Sequence, residues 1–357
     1  MEDLVNRISE NRVKLGITHG DINGIGYEVI LKTMADNRIL EIFTPVIYGH
    51  QRVASFHKKN LNLPEISFNP IKDCNQSNSK KVNIVNISEN ELRIELGKST
   101  KEAGEASFQA LEMAVEDLKS NKIDALVTAP INKQNIQSVK FDFAGHTEYL
   151  SSRFENAKPL MLMVWKDLRV GTITGHIPLK DVTGSITKEL ILNKIKILNA
   201  SLKVDFGIRK PKIALLGINP HAGDGGLLGN EENDIVNPAI EQAHNEGFLV
   251  FGPFPADGFF GSGAWKKYDG VLSMYHDQGL TAFKSLAFDE GVNFTAGLPI
   301  IRTSPAHGTA YDISGKGVAS EESFRQAVYL AVDIVRNRRM HDVLTSNPLK
   351  TGSQPSN

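Results

Sequence analysis

Short apolar, β-branched runs recur along the chain: RVKLGIT (12–18), FTPVIYG (43–49), KKVNIVNI (80–87), IDALVTAPI (123–131), RVGTIT (169–174), PKIALLGI (211–218) and YDGVLSM (268–274). Runs of this length, bounded by glycine and polar clusters, predict buried strands. Between them the periodicity changes. Over 105–120, Phe108, Leu111, Met113, Ala114, Val115 and Leu118 approximate one helical face. Strands alternating with helices are the signature of an α/β protein with a largely parallel sheet. The stretch 72–81, KDCNQSNSKK with its flanks, reads as a surface loop, and the tail from 346 lacks periodicity and reads as frayed.

With 357 residues the chain can bury a large core, and a net charge of −1 offers no basic face. Lysines and arginines are scattered among acids, which argues against nucleic acid or an anionic membrane as partner. The amino-terminal segment lacks a basic stretch followed by an apolar core, and no long apolar run occurs, so the expected location is cytoplasmic. Cys74 is the single cysteine, which excludes an intrachain disulfide; its polar surroundings predict an exposed bystander thiol.

Polar chemistry collects where the apolar runs stop. His176, His221 and His276 each follow such a run, in TITGHIPLKD, GINPHAGDGG and SMYHDQG. Ligands of open α/β sheets bind beyond the carboxyl ends of the strands, so these histidines can converge across the sequence. Three neutral imidazoles suit a borderline divalent ion such as zinc, cobalt or nickel. His50, His57, His244 and His341 lack that context and are expected at the surface, while His19 stays ambiguous. His146 and His307 stand beside glycine and a hydroxyl residue, a loop setting suited to ligand contact.

Nucleotide motifs fail on spacing. GDINGIG (20–26) and GDGGLLG (223–229) miss G-x-G-x-x-G, and LGKST (96–100) lacks the leading glycine of a phosphate loop. A standard Rossmann fold is therefore not expected. HGTAYDISGKGVAS (307–320) remains a glycine-rich loop whose backbone donors and Asp312 could hold an adenosine.

GITHGDINGIGYEV, VTAPINK, GHTEYL, HIPLKDV, NPHAGDGGLLGNEE, GPFPADGFF, YHDQGL and GVNFTAGLPIIRTSPAHGTAYDISGKG occur in that order. Together they resemble the 4-hydroxythreonine-4-phosphate dehydrogenases of pyridoxal phosphate synthesis, over about 14 to 335. The resemblance implies an isocitrate/isopropylmalate dehydrogenase-like fold of two lobes: 1–135 plus 295–357 carrying the cofactor loop, and 136–294 carrying the metal ligands and dimer contacts. It implies His176, His221 and His276 as ligands of one divalent ion (zinc, cobalt or magnesium), shared across a homodimer. It also implies substrate contacts from His146, Thr147, Lys284, Asn293 and Arg302, and NAD or NADP contacts from His307, Gly308, Thr309 and Asp312. Asp277, beside a ligand, is the candidate base, orienting group or loop cap. The implied reaction oxidises a phosphorylated hydroxy amino acid to a β-keto acid that loses carbon dioxide. Paralogous action on a phosphorylated threonate or erythronate or on an unphosphorylated diol is the alternative, and a non-catalytic metal- and phosphate-ligand-binding protein is a third reading. The chain departs from the family pattern at Ala306, where an aspartate usually precedes the histidine, at Gly258, in place of threonine, and at Ile22–Asn23.

Overall fold

The computed structural model describes residues 12–63, 66–138, 140–154 and 158–346. The expected loose tail lies, beyond Ser346, outside these residues. Among the described residues, twelve strands form one sheet. In chain order they are β1 (Lys14–Thr18), β2 (Thr44–Gly49), β3 (Phe68–Ile71), β4 (Val82–Asn86), β5 (Ala125–Thr128) and β6 (Leu160–Trp165). They continue with β7 (Leu168–Thr172), β8 (Lys212–Leu216), β9 (Leu249–Phe254), β10 (Gly270–Ser273), β11 (Val292–Ala296) and β12 (Arg302–Pro305). Their spatial order is β3-β4-β2-β1-β5-β12-β11-β6-β7-β10-β8-β9.

The two flanks are parallel, as the alternation of strands and helices predicts. β2, β5 and β10 are buried at every position, because helices cover both faces. The helix Lys101–Lys119 starts where Thr100 Oγ1 accepts from the Ala103 amide, and Thr187 caps the helix Lys188–Val204 in the same way at Leu190. The 105–120 pattern thus belongs to a longer helix whose buried stripe includes Leu111, Ala114, Val115 and Leu118.

The middle of the sheet was not expected. β6 pairs antiparallel with both β7 and β11, and β11 antiparallel with β12. This block joins the two parallel flanks. The sequence boundary at 135/136 falls in the loop after β5, whereas the one at 294/295 falls inside β11, which bonds to strands on both sides.

Several surface expectations are corrected. Cys74 is fully buried, its thiol 3.0 Å from the Tyr48 hydroxyl and donating to Asp117 at 2.9 Å. Burial pushes that thiol up to about 12, so it stays protonated. The polar loop folds back over it through the turn Cys74–Gln76. His50 and His57 are buried too: the Tyr27 ring stacks between His19 and His57, and its hydroxyl accepts from the His50 amide at 2.9 Å. Gly49 lies so close to the Tyr27 hydroxyl and the His19 ring that a side chain there would collide, a packing that local polarity could not indicate.

Candidate active site

β7, β10 and β8 are neighbours, all parallel, and the three strand-end histidines follow them directly. The fold then divides the set. His176 follows β7 and His276 opens the helix His276–Ala287 after β10, with their ring centroids 5.3 Å apart. His221 lies on an exposed loop, Pro220–Gly226, where His221, Ala222 and Asp224 all take positive φ. Such a run of left-handed residues persists only where its surroundings over-determine it. Here the Glu232 carboxylate, 3% exposed, accepts from the amides of Ile218 and Asn219, each at 2.7 Å, and from Asn219 Nδ2 at 2.9 Å. Among the described residues of one chain, no three His, Cys, Asp or Glu groups converge to hold a metal ion.

The pair nevertheless fits half of a metal centre. Two imidazoles bound to one tetrahedral ion at about 2.0–2.1 Å hold their ring centres about 5 Å apart. The Nδ1–H of His276 donates to Asp277 Oδ1 at 2.7 Å, which leaves Nε2 as the free lone pair. Burial, then the charges of Lys133 and His276, lowers the His176 pKa and favours its neutral, ligating form. Asp277 faces the groove beyond the pair, so its geometry is that of an orienting group.

A cavity of about 320 Å³ opens on this pair. His146, Lys284, Asn293, Arg302, His307 and Gly308 line it, as the sequence suggested; Thr147, Thr309, Asp312 and His221 do not. Lys284 reaches it from the same helix as His276, two turns on. Arg302 is 4% exposed at the start of β12, and its Nε and Nη2 donate to Thr128 Oγ1 at 3.0 and 2.7 Å. Burial pulls its pKa from 12.5 to about 10, which still leaves a cation at neutral pH. Among the described residues it has no ion-pair partner.

His146 begins the helix His146–Arg153, and burial, followed by the charges of Arg302 and Lys133, holds its pKa well below the ordinary value. His146 Nε2, His307 Nε2 and Asn293 Oδ1 are buried without a hydrogen-bond partner. Orphaned polar atoms are costly unless a ligand or water completes them. The two ring nitrogens, with unpaired cations and no aspartate or glutamate in the lining among the described residues, suit an oxygen-rich anion, while Asn293 Oδ1, an acceptor, calls for a hydroxyl or ammonium donor on the same ligand.

Sequence reasoning missed Lys133 and Thr128, both in the cavity, although VTAPINK was noted as a motif. It also missed Asp21, which is fully buried and accepts from the Asn23 amide, Asn135 Nδ2 and the Tyr311 hydroxyl. These bonds lace the loop after β1 to the loop after β5 and to the glycine-rich loop at 307–320. The Ile25 amide adds a bond to the Thr309 carbonyl at 3.0 Å, and Asn23, one of the family departures, bonds Lys98 O and Thr100 Oγ1.

Residues 41–331 match the family model of the pyridoxal phosphate biosynthetic protein PdxA. The chain belongs to the PdxA family. A 4-hydroxythreonine-4-phosphate dehydrogenase of Bacteroides thetaiotaomicron is 51% identical over 344 residues, 96% of this chain and 94% of that protein. A Cutibacterium acnes protein with the provisional name D-threonate 4-phosphate dehydrogenase is 40% identical, over 90% of this chain and 94% of its own. Among solved structures, the 4-hydroxythreonine-4-phosphate dehydrogenase of Klebsiella pneumoniae superposes with a TM-score of 0.79 at 31% identity, covering 91% of this chain and 99% of that one. PdxA membership accounts for the missing dinucleotide fingerprint. No helix among the described residues is long and apolar enough to cross a membrane.

Proposed function

We propose that this PdxA protein oxidises 4-phosphooxy-threonine with NAD or NADP and releases the decarboxylated amino-ketone phosphate. The observation that carries the reading is the cavity itself: a histidine pair spaced for one ion, beside a buried Arg302, Lys284 and three orphaned polar atoms. Arg302, held by Thr128, and Lys284 bind the phosphate through charge-assisted bonds. His146 and Asn293 complete the substrate contacts, and Thr147 supports them from the helix behind.

His176 and His276 of one chain and His221 of a second copy would hold a divalent ion. When bound, that ion polarises the substrate's hydroxyl and carbonyl oxygens as a Lewis acid. A second copy is supported by exposed apolar side chains at both ends of the missing contact. Leu227 is 79% exposed near His221, and Leu179 is 74% exposed near His176. Between Leu179, Val182 and Tyr275 lies a groove of about 370 Å³ that opens on the histidine pair. A two-fold dimer would seat each chain's Leu227–Leu228 in its partner's groove. His307, Gly308, Thr309 and Asp312 form the loop that would hold the nicotinamide cofactor, which when bound accepts hydride from the carbinol carbon. His307 Nε2, buried without a partner at the edge of the cavity, would be a contact where cofactor and substrate meet. Asp277 orients His276.

Oxidation of D-threonate 4-phosphate is the second reading, favoured by the Cutibacterium relative and by a lining without a carboxylate to pair an α-ammonium group. The test is appearance of reduced nicotinamide with both phosphorylated substrates and an unphosphorylated diol, with and without chelator. Turnover of 4-phosphooxy-threonine that chelator abolishes is expected; a preference for the threonate selects the second reading, and activity on the diol alone discards both.

A further inference from the structure

One side chain joins the three segments that bear the strand-end histidines. Gln278 lies in the helix His276–Ala287, a little over half a turn past His276. Its Oε1 accepts from the Met274 amide directly after β10, and its Nε2 donates to the Gly217 carbonyl directly after β8, both at 2.7 Å. The Met274 carbonyl in turn accepts from the amide and the Oγ1 of Thr174, at 3.1 and 2.8 Å, just before His176. Met274, Thr174 and Gly217 are all buried.

Gly217 is the root of the loop that carries His221, and that loop is costly to hold. Residues 221–225 all take φ between 44° and 80°, and His221, Ala222 and Asp224 among them carry a Cβ. The loop folds back over Gly217, where a Cβ would stand 2.9 Å from Ala222 Cα and 3.2 Å from Glu232 Oε1. The Gly217 amide donates to the Phe254 carbonyl of β9 at 2.9 Å, which leaves its carbonyl to Gln278. Glu232 thus grips the turn from within, and Gln278 fixes the point from which it springs.

We infer that Gln278 is a positioning residue that ties the root of the His221 loop to the strand ends carrying His176 and His276, and so sets where His221 is presented to a second copy. This rests on the dehydrogenase reading and deepens its metal site. His221 is exposed, and an imidazole delivered across a chain boundary must already be held to within about 0.5 Å, or ordering it costs affinity. Gln278 supplies that order through backbone groups alone. It stands beside one chain's own histidine pair while the loop it holds serves the partner's, so each chain makes its two contributions as one body.

The experiment measures loop and ion separately, without substrate or nicotinamide. Hydrogen–deuterium exchange of the metal-free protein reads the amides of 218–229, and competition against a chromophoric chelator reads cobalt(II) affinity. Gln278→Met keeps the length and the helix but neither bond. It should speed exchange in 218–229 roughly 3- to 10-fold, the worth of one hydrogen bond, and leave 307–320 unchanged. Its cobalt binding should weaken roughly 10- to 100-fold, the range for losing a group that orients metal ligands. Gln278→Glu keeps the acceptor for the Met274 amide but sets a carboxylate oxygen against the Gly217 carbonyl, so it should loosen the loop as much. Faster exchange throughout the chain in both variants, an unchanged loop in either, or unchanged cobalt affinity in Gln278→Met overturns the assignment. Wild type that binds no cobalt removes the metal site of the dehydrogenase reading, and this inference with it.

Discussion

Asp21 and Tyr311, 290 positions apart, meet through a 2.8 Å hydrogen bond from the tyrosine hydroxyl to a fully buried carboxylate. Burial, with the bond to Asp21, pushes the hydroxyl up to about 12, so it remains a donor. No cation pairs with Asp21 among the described residues; its charge is held by neutral donors from three loops. Replacing Tyr311 by Phe leaves that carboxylate one donor short. A stability loss of about 1–3 kcal/mol in urea unfolding is expected, with a several-fold rise in cofactor KM. No change in either would show that the tie does not order the glycine-rich loop.

Arg302→Ala should lower kcat/KM on the phosphorylated substrate by about 2–5 kcal/mol, the range for truncating one partner of a buried charged pair. The loss should be far smaller on an analogue without phosphate. Equal losses would assign Arg302 to a part of the substrate other than the phosphate.

If, as proposed, His176 and His276 of one chain and His221 of a second copy hold one ion, mixing His176→Ala with His276→Ala subunits should restore nothing. Mixing His176→Ala with His221→Ala should rebuild one intact site per heterodimer and recover up to about half of the activity, a consequence of two-fold symmetry. Chelator should abolish that recovered activity. Recovery in the first mixture would show that His176 and His276 belong to different halves.

His19 and His57 are held neutral by burial, at a pKa of about 4 against 6.5 when unfolded. Below pH 6.5 the unfolded chain takes up protons that the folded chain refuses. Stability should therefore fall as pH drops from about 6.5 to about 4, by at most about 3 kcal/mol per ring. His57→Gln, which keeps a donor for the Ile22 carbonyl bonded at 3.1 Å, should flatten the profile. Melting curves with the same acid slope in both proteins would place the sensitivity elsewhere.

Local pattern alone carried the parallel flanks, since a fully buried strand must be a short apolar run and its crossover helix must show an apolar stripe. It also carried the strand-end positions of His176, His221 and His276, because the end of an apolar run marks the end of a strand. Family motifs added Arg302, Lys284, Asn293, His146 and His307, all of which line the cavity. Long-range closure decided the rest. LMLMVW has the same composition whether its neighbours run parallel or antiparallel, so the central block was invisible in it. That the exposed Lys133 borders the cavity is visible only once Asn132, Gln137 and Asp21 fix its loop there. Burial of Cys74, His50 and His57 likewise depends on what packs over them, a property of distant segments rather than neighbours. The division of the three histidines follows from the left-handed turn at His221, whose anchor, Glu232, lies beyond the loop it holds. Sequence sets which side chains a strand end can present; only the packed chain sets which of them share a space.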